Sequence, residues 1–385
     1  MDSICIKAGK RAYEIIRDGG FHFDRVSTYF GPATGPRWLV ASGFDLTLLK
    51  NGLLGRSRAV HLVGSSAGAF RFAAWLQPEP EKSYRTLMES YIGITYKRTD
   101  TPATILDSLM DTVNAYIEND ALPFALANKN YRLAVITARS KNIVASEVPW
   151  LLKMGLGICF AFNAVKRSYI HNFAERVVFY NGPKPPPFCL KPGFRGRYIP
   201  LNEINFKYAV AASGAIPLVV AGVRDIYGAP KGVYRDGGLI DYHLTHNYAQ
   251  TTEDIVLFFN HQERIVPGWL DKRLSYRRPK EDILDNVMMI YPSYGFIAQL
   301  PGGKVPERSD FGTFIDDPAL RIKNWRQAVE QAQPLGEEFL ELVESKRIKD
   351  VVEKMETIPK KTPLFKRHYK NVISLLRTPP VVKGD

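Results

Sequence analysis

The sequence predicts an α/β fold: a mostly parallel central sheet flanked by helices, followed by a C-terminal helical extension. Three observations carry this. Short apolar runs rich in β-branched and aromatic residues occur at Ala59–Val63, Tyr131–Thr137 and Asp254–Phe259. Each is too short for a helix and apolar enough to be covered on both faces. Longer stretches with helical spacing lie between them, and that alternation suits parallel strands joined by helical crossovers.

The amphipathic stretch Ala8–Arg17 reads as a helix stopped by Gly19-Gly20. Phe23–Phe30 reads as a strand, Gly31–Arg37 as a loop and Trp38–Leu49 as a helix. Ala59–Val63 is a strand, and the Ala- and aromatic-rich segment Ala69–Leu76 is a helix closed by Pro78-Glu79-Pro80. Glu81–Asn119 reads as one or two helices divided at Thr101-Pro102, Tyr131–Thr137 as a buried strand and Ser146–Ala164 as a helix. Arg176–Tyr180 is a strand, and the proline-rich Gly182–Phe188 is expected to be an extended, exposed loop. Leu201–Ala212 reads as a helix, Gly232–Arg235 as a short strand and Asp254–Phe259 as a buried strand. Pro318–Met355 is charged and helical, with the proline suited to the first turn. These readings divide the chain into an α/β domain over 1–315 and a helical extension over 316–385 with a basic tail.

The 385 residues, 45% of them hydrophobic, can bury a sizeable core. A net charge of +13 favours an acidic partner: a nucleic acid, an anionic membrane surface or an anionic substrate. Three scattered cysteines form neither a metal-ligand pattern nor a disulfide framework, which fits a reducing compartment. Charged residues interrupt the N-terminal segment, so it is not a signal peptide, and no run is apolar enough to span a bilayer. The expected location is cytoplasmic, with peripheral membrane association.

Gly64-Ser65-Ser66-Ala67-Gly68 stands between a strand and a helix. A serine in a G-x-S-x-G turn of this kind is held at a nucleophile elbow. The flanking Gly64 and Gly68 permit strand and helix to approach, and the helix N-terminus points N–H groups toward a developing oxyanion. Ser66 still needs a base. One possibility is a histidine, from His171, His243, His246, His261 and His368, none with a distinctive setting. The other is Asp236, which leaves a short strand into the Gly237-Gly238 turn. Asp-Gly-Gly also serves as a plain turn. Asp241, among bulky apolar residues, reads as structural.

With the small-residue segment Ala212-Ser-Gly-Ala-Ile-Pro217 ahead of Asp236, the chain resembles the patatin-like phospholipases in three motifs and in their order. The resemblance spans about residues 24–260. It implies a three-layer patatin-like sandwich, Ser66 as nucleophile and Asp236 as its partner in a Ser-Asp dyad. It also implies an oxyanion loop at Thr34-Gly35-Pro36-Arg37, where threonine and Trp38 replace two of the family's glycines. Thr34 and Gly35 would offer N–H groups, and Arg37 would anchor the loop or attract an anionic head group. The activity implied is hydrolysis of fatty-acyl esters of lipids or phospholipids through an acyl-enzyme, with no cofactor and no metal ion. The rival readings are a Ser-His-Asp esterase, an inactive scaffold on the same fold, and a membrane- or nucleic-acid-binding protein. No nucleic-acid-binding motif accompanies the basic patches. The segment Lys360–Arg377 reads as a basic amphipathic helix, with Phe365 and Ile373 on its apolar face, suited to an anionic membrane surface.

Overall fold

A computed structural model describes residues 3–355. Lys360–Arg377 and His368 lie outside the described residues. The central sheet is assembled from β1 (Ile4–Ala8), β2 (Val26–Gly31), β3 (Val60–Ser65), β4 (Tyr131–Ser140), β5 (Ala174–Tyr180) and β6 (Arg197–Pro200), with β7 (Val223–Arg224), β8 (Val233–Asp236), β9 (Ile255–Phe259), β10 (Val287–Pro292) and β11 (Glu353–Lys354). The main path runs β11-β1-β10-β9-β2-β3-β4-β5-β6. Its centre, from β10 through β4, is entirely parallel. Antiparallel pairs join β1 to β10 and β4 to β5. The fold is therefore α/β with a mixed, mostly parallel sheet and a C-terminal helix. Strands β2, β9 and β10 are buried at every position, as expected of strands covered on both faces.

The helices are α1 (Lys10–Gly19), α2 (Ser42–Lys50), α3 (Ala67–Trp75), α4 (Pro80–Gly93), α5 (Pro102–Tyr116), α6 (Leu122–Leu126), α7 (Pro149–Val165), α8 (Phe206–Ser213) and, near the C-terminus, the long helix Pro318–Glu344. Thr101 closes a capping box with Thr104 at the start of α5, which explains the division of 81–119 into two helices. The main core contains Phe72 and Trp75 of α3, Leu87 of α4, Val113 of α5, Ala211 of α8, and Trp325 and Phe339 of the long helix. The opposite face is covered largely by irregular segments carrying Phe188, Phe194, Leu244 and Tyr248.

Several boundaries differ from expectation for local reasons. Phe23–Arg25 is a 3-10 turn, so the strand begins at Val26, and Gly35–Ala41 forms a 3-10 turn before α2. The segment 182–188 is not wholly exposed: Phe188 is buried and packs edge-on against Tyr248. Helix α8 starts at Phe206 rather than Leu201, because Asn202 and Asn205 form a side-chain-bonded turn ahead of it. The last long helix ends at Glu344, and 353–354 return to the sheet beside β1.

A buried polar cluster joins α2 to α3. The Asp45 carboxylate accepts from Arg71 Nε at 2.6 Å and Nη2 at 2.8 Å, from Tyr29 Oη at 2.8 Å and from Tyr84 Oη at 2.5 Å. Arg71 is 1% exposed and Asp45 fully buried. A desolvated pair of this kind holds together only because its hydrogen bonds are complete. Asp45→Ala would strand the guanidinium without a counter-charge and is expected to cost about 3–5 kcal/mol. Urea unfolding would read this as a lowered midpoint at unchanged slope; a midpoint equal to that of the parent chain would contradict it.

Candidate active site

The register of β4 decides what meets at the site. Strand β3 runs parallel to β4 and ends with Ser65 opposite Ile136. Strand β8 runs antiparallel to β4 and ends with Asp236 opposite Thr137. Since β5 pairs with residues 134–140 from the other side, β3 and β8 share one edge of β4 and point their C-terminal ends at each other. Ser66 and Asp236, 170 residues apart in sequence, thus become neighbours at one register step.

Ser66 sits at φ 53°, ψ −122°, a conformation that a non-glycine residue adopts only when its surroundings impose it. Its N–H donates to Ser213 Oγ at 2.8 Å, and Ser213 Oγ donates to the Ile136 carbonyl at 2.7 Å. This hydroxyl bridge fastens the turn to β4. A side chain at Gly68 would place its Cβ 2.0 Å from the Gly31 carbonyl oxygen, so only glycine allows α3 to start this close to β2.

The Ser66 hydroxyl donates to Asp236 Oδ2 at 2.7 Å. Asp236 Oδ1 accepts the Gly238 N–H at 2.7 Å, and the Asp236 N–H donates to the Ala215 carbonyl at 2.9 Å. The small-residue segment 212–217 therefore supplies both the anchor of the Ser66 turn, through Ser213, and that of the Asp236 backbone, through Ala215. The side chains of Ser66 and Asp236 are nearly sealed, at 5% and 7% exposure. Burial pushes the Asp236 carboxyl up to about 6, against the hydrogen bonds from Ser66 and Gly238 and the more distant cations Lys272 and Arg308. Among the described residues no salt bridge reaches Asp236.

The loop at 31–37 lies against this site. A Cβ on Gly238 would come within 2.6 Å of Ala33 Cβ, so the two turns are in contact. Gly35 has φ 55° and opens the 3-10 turn, which leaves its N–H without a partner inside the turn. Thr34 differs from expectation as a donor: its N–H is directed at the Pro32 carbonyl, 3.0 Å away. Arg37 pairs with Glu307 at 2.9 Å, which ties the loop to the segment carrying Arg308.

Among the described residues, no histidine is hydrogen-bonded to Ser66 or Asp236. His243 Nδ1 accepts the Val266 N–H at 3.0 Å, and burial holds its pKa well below the ordinary value. His261 is likewise buried and lowered. His246 bonds Thr245 and lies against Phe194. His171 is lowered to about 4, chiefly by burial. Asp241 forms a bidentate pair with Arg176, at 2.5 and 2.7 Å. Among the described residues, no group of three or more His, Cys, Asp or Glu side chains could hold a metal ion.

Sequence reasoning did not single out Ser213, Lys272 or Arg308. Ser213 had a signal, being the one polar side chain in the run Ala211–Pro217. The two cations had none, because their segments meet the site only through the fold. Lys272 lies with Nζ 4.1 Å from the centroid of the Tyr242 ring, and that ring's Cδ2 would lie 3.3 Å from a Cβ on Gly238.

Comparison with protein-family models gives no match, and comparison with curated proteins gives none. Among solved structures, human GIVD cytosolic phospholipase A2 aligns at 10% identity with a TM-score of 0.37. The alignment covers 88% of this chain and 63% of that one, so the chain spans less than two thirds of the other's length. A likeness this distant carries no argument about activity.

Raising a carboxyl by burial has a stability consequence of definite sign. Between 3.8 and about 6 the folded protein holds a proton on Asp236 that the unfolded chain has released. Stability contributed by this group is therefore full below pH 3.8 and is lost as pH rises through 6, a change of about 3 kcal/mol at most. Asp236→Asn removes the penalty. The variant is expected to be about 1–3 kcal/mol more stable than the parent at pH 8 and equal to it near pH 4. Unfolding curves at the two pH values test this; a variant less stable at pH 8 would refute it.

Proposed function

We propose that this chain is a serine acyl hydrolase that cleaves fatty-acyl esters of lipids through a Ser66-Asp236 dyad and an acyl-enzyme intermediate. The observation that carries the reading is the 2.7 Å hydrogen bond from Ser66 Oγ to Asp236 Oδ2 at a strained elbow, with no histidine among the described residues bonded to either.

In the first half-reaction Ser66 Oγ attacks the acyl carbonyl carbon while its proton passes to Asp236 Oδ2. The tetrahedral oxyanion then collapses, the ester C–O bond breaks, and Asp236 returns the proton to the departing alcohol oxygen. In the second half, water gives a proton to Asp236 and adds to the acyl-serine carbon. The serine oxygen leaves, recovers that proton, and the fatty acid is released. The N–H groups of Ala67, first in α3, and Gly35 would receive the oxyanion. An ordinary aspartate is a weak base toward a serine hydroxyl. A carboxyl raised to about 6 is stronger and still largely ionised at neutral pH, which suits it to the task. No step calls for a metal ion or cofactor. The lipid preference follows from the resemblance in three motifs described above.

A fluorophosphonate probe tests the assignment directly. Labelling is expected in the parent chain and in His243→Ala, to vanish in Ser66→Ala, and to slow by about 10²- to 10⁴-fold in Asp236→Asn. Below pH 6 the carboxylate takes up a proton and can no longer accept the serine's. The labelling rate should fall about tenfold per pH unit there and level off above about 7. Labelling kept in Asp236→Asn and lost in His243→Ala would overturn the dyad. A parent chain that never reacts, beside a control lipase that does, would make this fold a scaffold.

A further inference from the structure

Helix α7 covers the far side of the Asp236 turn. Its inner face, with Leu152, Leu156, Cys159 and Phe160, packs on Leu239 and Ile240, which directly follow the Asp236-Gly-Gly turn, and on Leu270 and Leu274. Its outer face is apolar. Trp150, Met154, Ile158 and Phe162 repeat every four residues, Val165 completes the row, and all five are exposed, Trp150 at 64% and Val165 at 81%. Scattered exposed apolar residues are ordinary, but a continuous row along a whole helix marks an interaction surface.

We propose that this row is the surface by which the protein docks on an anionic lipid bilayer, α7 lying in the interface with its outer face in the acyl region. The choice of occupant rests on the lipid-hydrolase reading and on charge. Helix α7 contains no Asp or Glu. Lys153 and Lys166 flank the row, and its C-terminal end is met by Arg277, whose guanidinium donates to the carbonyls of Asn163 and Ala164, followed by exposed Arg278. Two carboxylates beside the helix are engaged: Glu147 with Arg235, and buried Asp271 with Arg167. An apolar row edged by cations is complementary to anionic headgroups over acyl chains. A symmetric dimer through this face would instead bring the same cations together.

Geometry fits docking rather than spanning. Seventeen residues of helix extend about 25 Å, short of a hydrocarbon core of about 30 Å, and the inner face is already used by the protein core. Among the described residues no helix is long and apolar enough to cross a membrane. One helix diameter, about 10 Å, would separate the lipid surface from the turn that holds Asp236.

The test uses the full chain and vesicles of equimolar phosphatidylcholine and phosphatidylglycerol. Co-sedimentation is expected for the parent chain and to fall at least about tenfold for Trp150→Asp/Val165→Asp, with the thermal midpoint little changed because these are the two most exposed positions of the row. Of five tryptophans, Trp38, Trp75 and Trp325 are buried and Trp269 is partly buried against two core clusters, so a blue shift of emission on adding vesicles should come chiefly from Trp150. Trp150→Phe should keep the partition and lose most of that shift, a result that global unfolding cannot imitate. Partition of the double variant within twofold of the parent would overturn the proposal. So would light scattering that shows a parent dimer broken by the double variant, with neither protein binding vesicles. Hydrolysis of a soluble short-chain ester is measured in parallel. Ser66→Ala should lose hydrolysis and keep partition, so failure of the catalytic reading and failure of docking give different results.

Discussion

Everything at the proposed site depends on two strands ending against each other on one edge of β4. Parallel β3 stops at the register of Ile136, and antiparallel β8 stops one residue further, at Thr137. The chain must leave both strands within that step. At β3 it does so through Ser66 at φ 53°, and at β8 through Gly237-Gly238, where a Cβ on Gly237 would lie 2.1 Å from the Ile136 carbonyl oxygen. The strain at Ser66 is held by neighbours rather than relieved: Ser213 bonds its N–H, Asp236 accepts its hydroxyl, and α3 starts against Gly31. The buried Asp45–Arg71 pair then fixes α3 to α2, so the elbow cannot relax by moving its helix.

Two aspartates five residues apart show how the same turn region sets opposite electrostatics. Asp241 is fully buried, yet Arg176, on β5, offers it two hydrogen bonds and brings its carboxyl down to about 2 despite the desolvation. Asp236 is nearly as buried and receives only one backbone N–H and one hydroxyl. The cations nearest to it electrostatically, Lys272 and Arg308, act without a direct pair. One carboxylate is thereby committed to structure. The other is left more basic than an ordinary carboxylate, at a cost to stability above its folded-state pKa.

Much of this was legible in sequence because the motifs are local. Gly64–Gly68 and Asp236–Gly238 carry their own backbone demands, and Thr101-Pro102 its own helix start. The strands with dense β-branched or aromatic residues were legible for the same reason. The edge pieces were not. Strand β1 is only Ile4–Ala8 with Lys7 inside it, and β11 has two exposed residues, so neither has a pattern apart from its partners. Strand β10, Val287–Pro292, shows that even a wholly buried strand can escape notice beside a methionine-rich, low-contrast sequence. Thr34 illustrates the limit at the site: its side-chain type permits an N–H donor, but the conformation that turns this N–H to Pro32 is set by contacts the sequence does not display. The outer row of α7 was readable as a helix, not as an exposed face, since its apolar residues occur on both sides.

His243 and His261 are electrostatically unsuited to the role of base. A general base needs a free lone pair directed at the hydroxyl and a pKa near working pH. His243 and His261 are buried where cations such as Lys272 and Arg37 add to desolvation, so both are held neutral. Neutrality alone would not disqualify them, because a neutral imidazole accepts a proton. The difficulty is the next moment: the imidazolium would form in a site that already disfavours it, beside those same cations, and His243 Nδ1 is occupied by Val266. Protonating Asp236 does the reverse. It neutralises a buried carboxylate that desolvation penalises, so in the proposed reaction the proton transfer from Ser66 would relieve part of that cost. The environment that makes histidine a poor partner for Ser66 is thus the one that would let the aspartate serve in the proposed dyad.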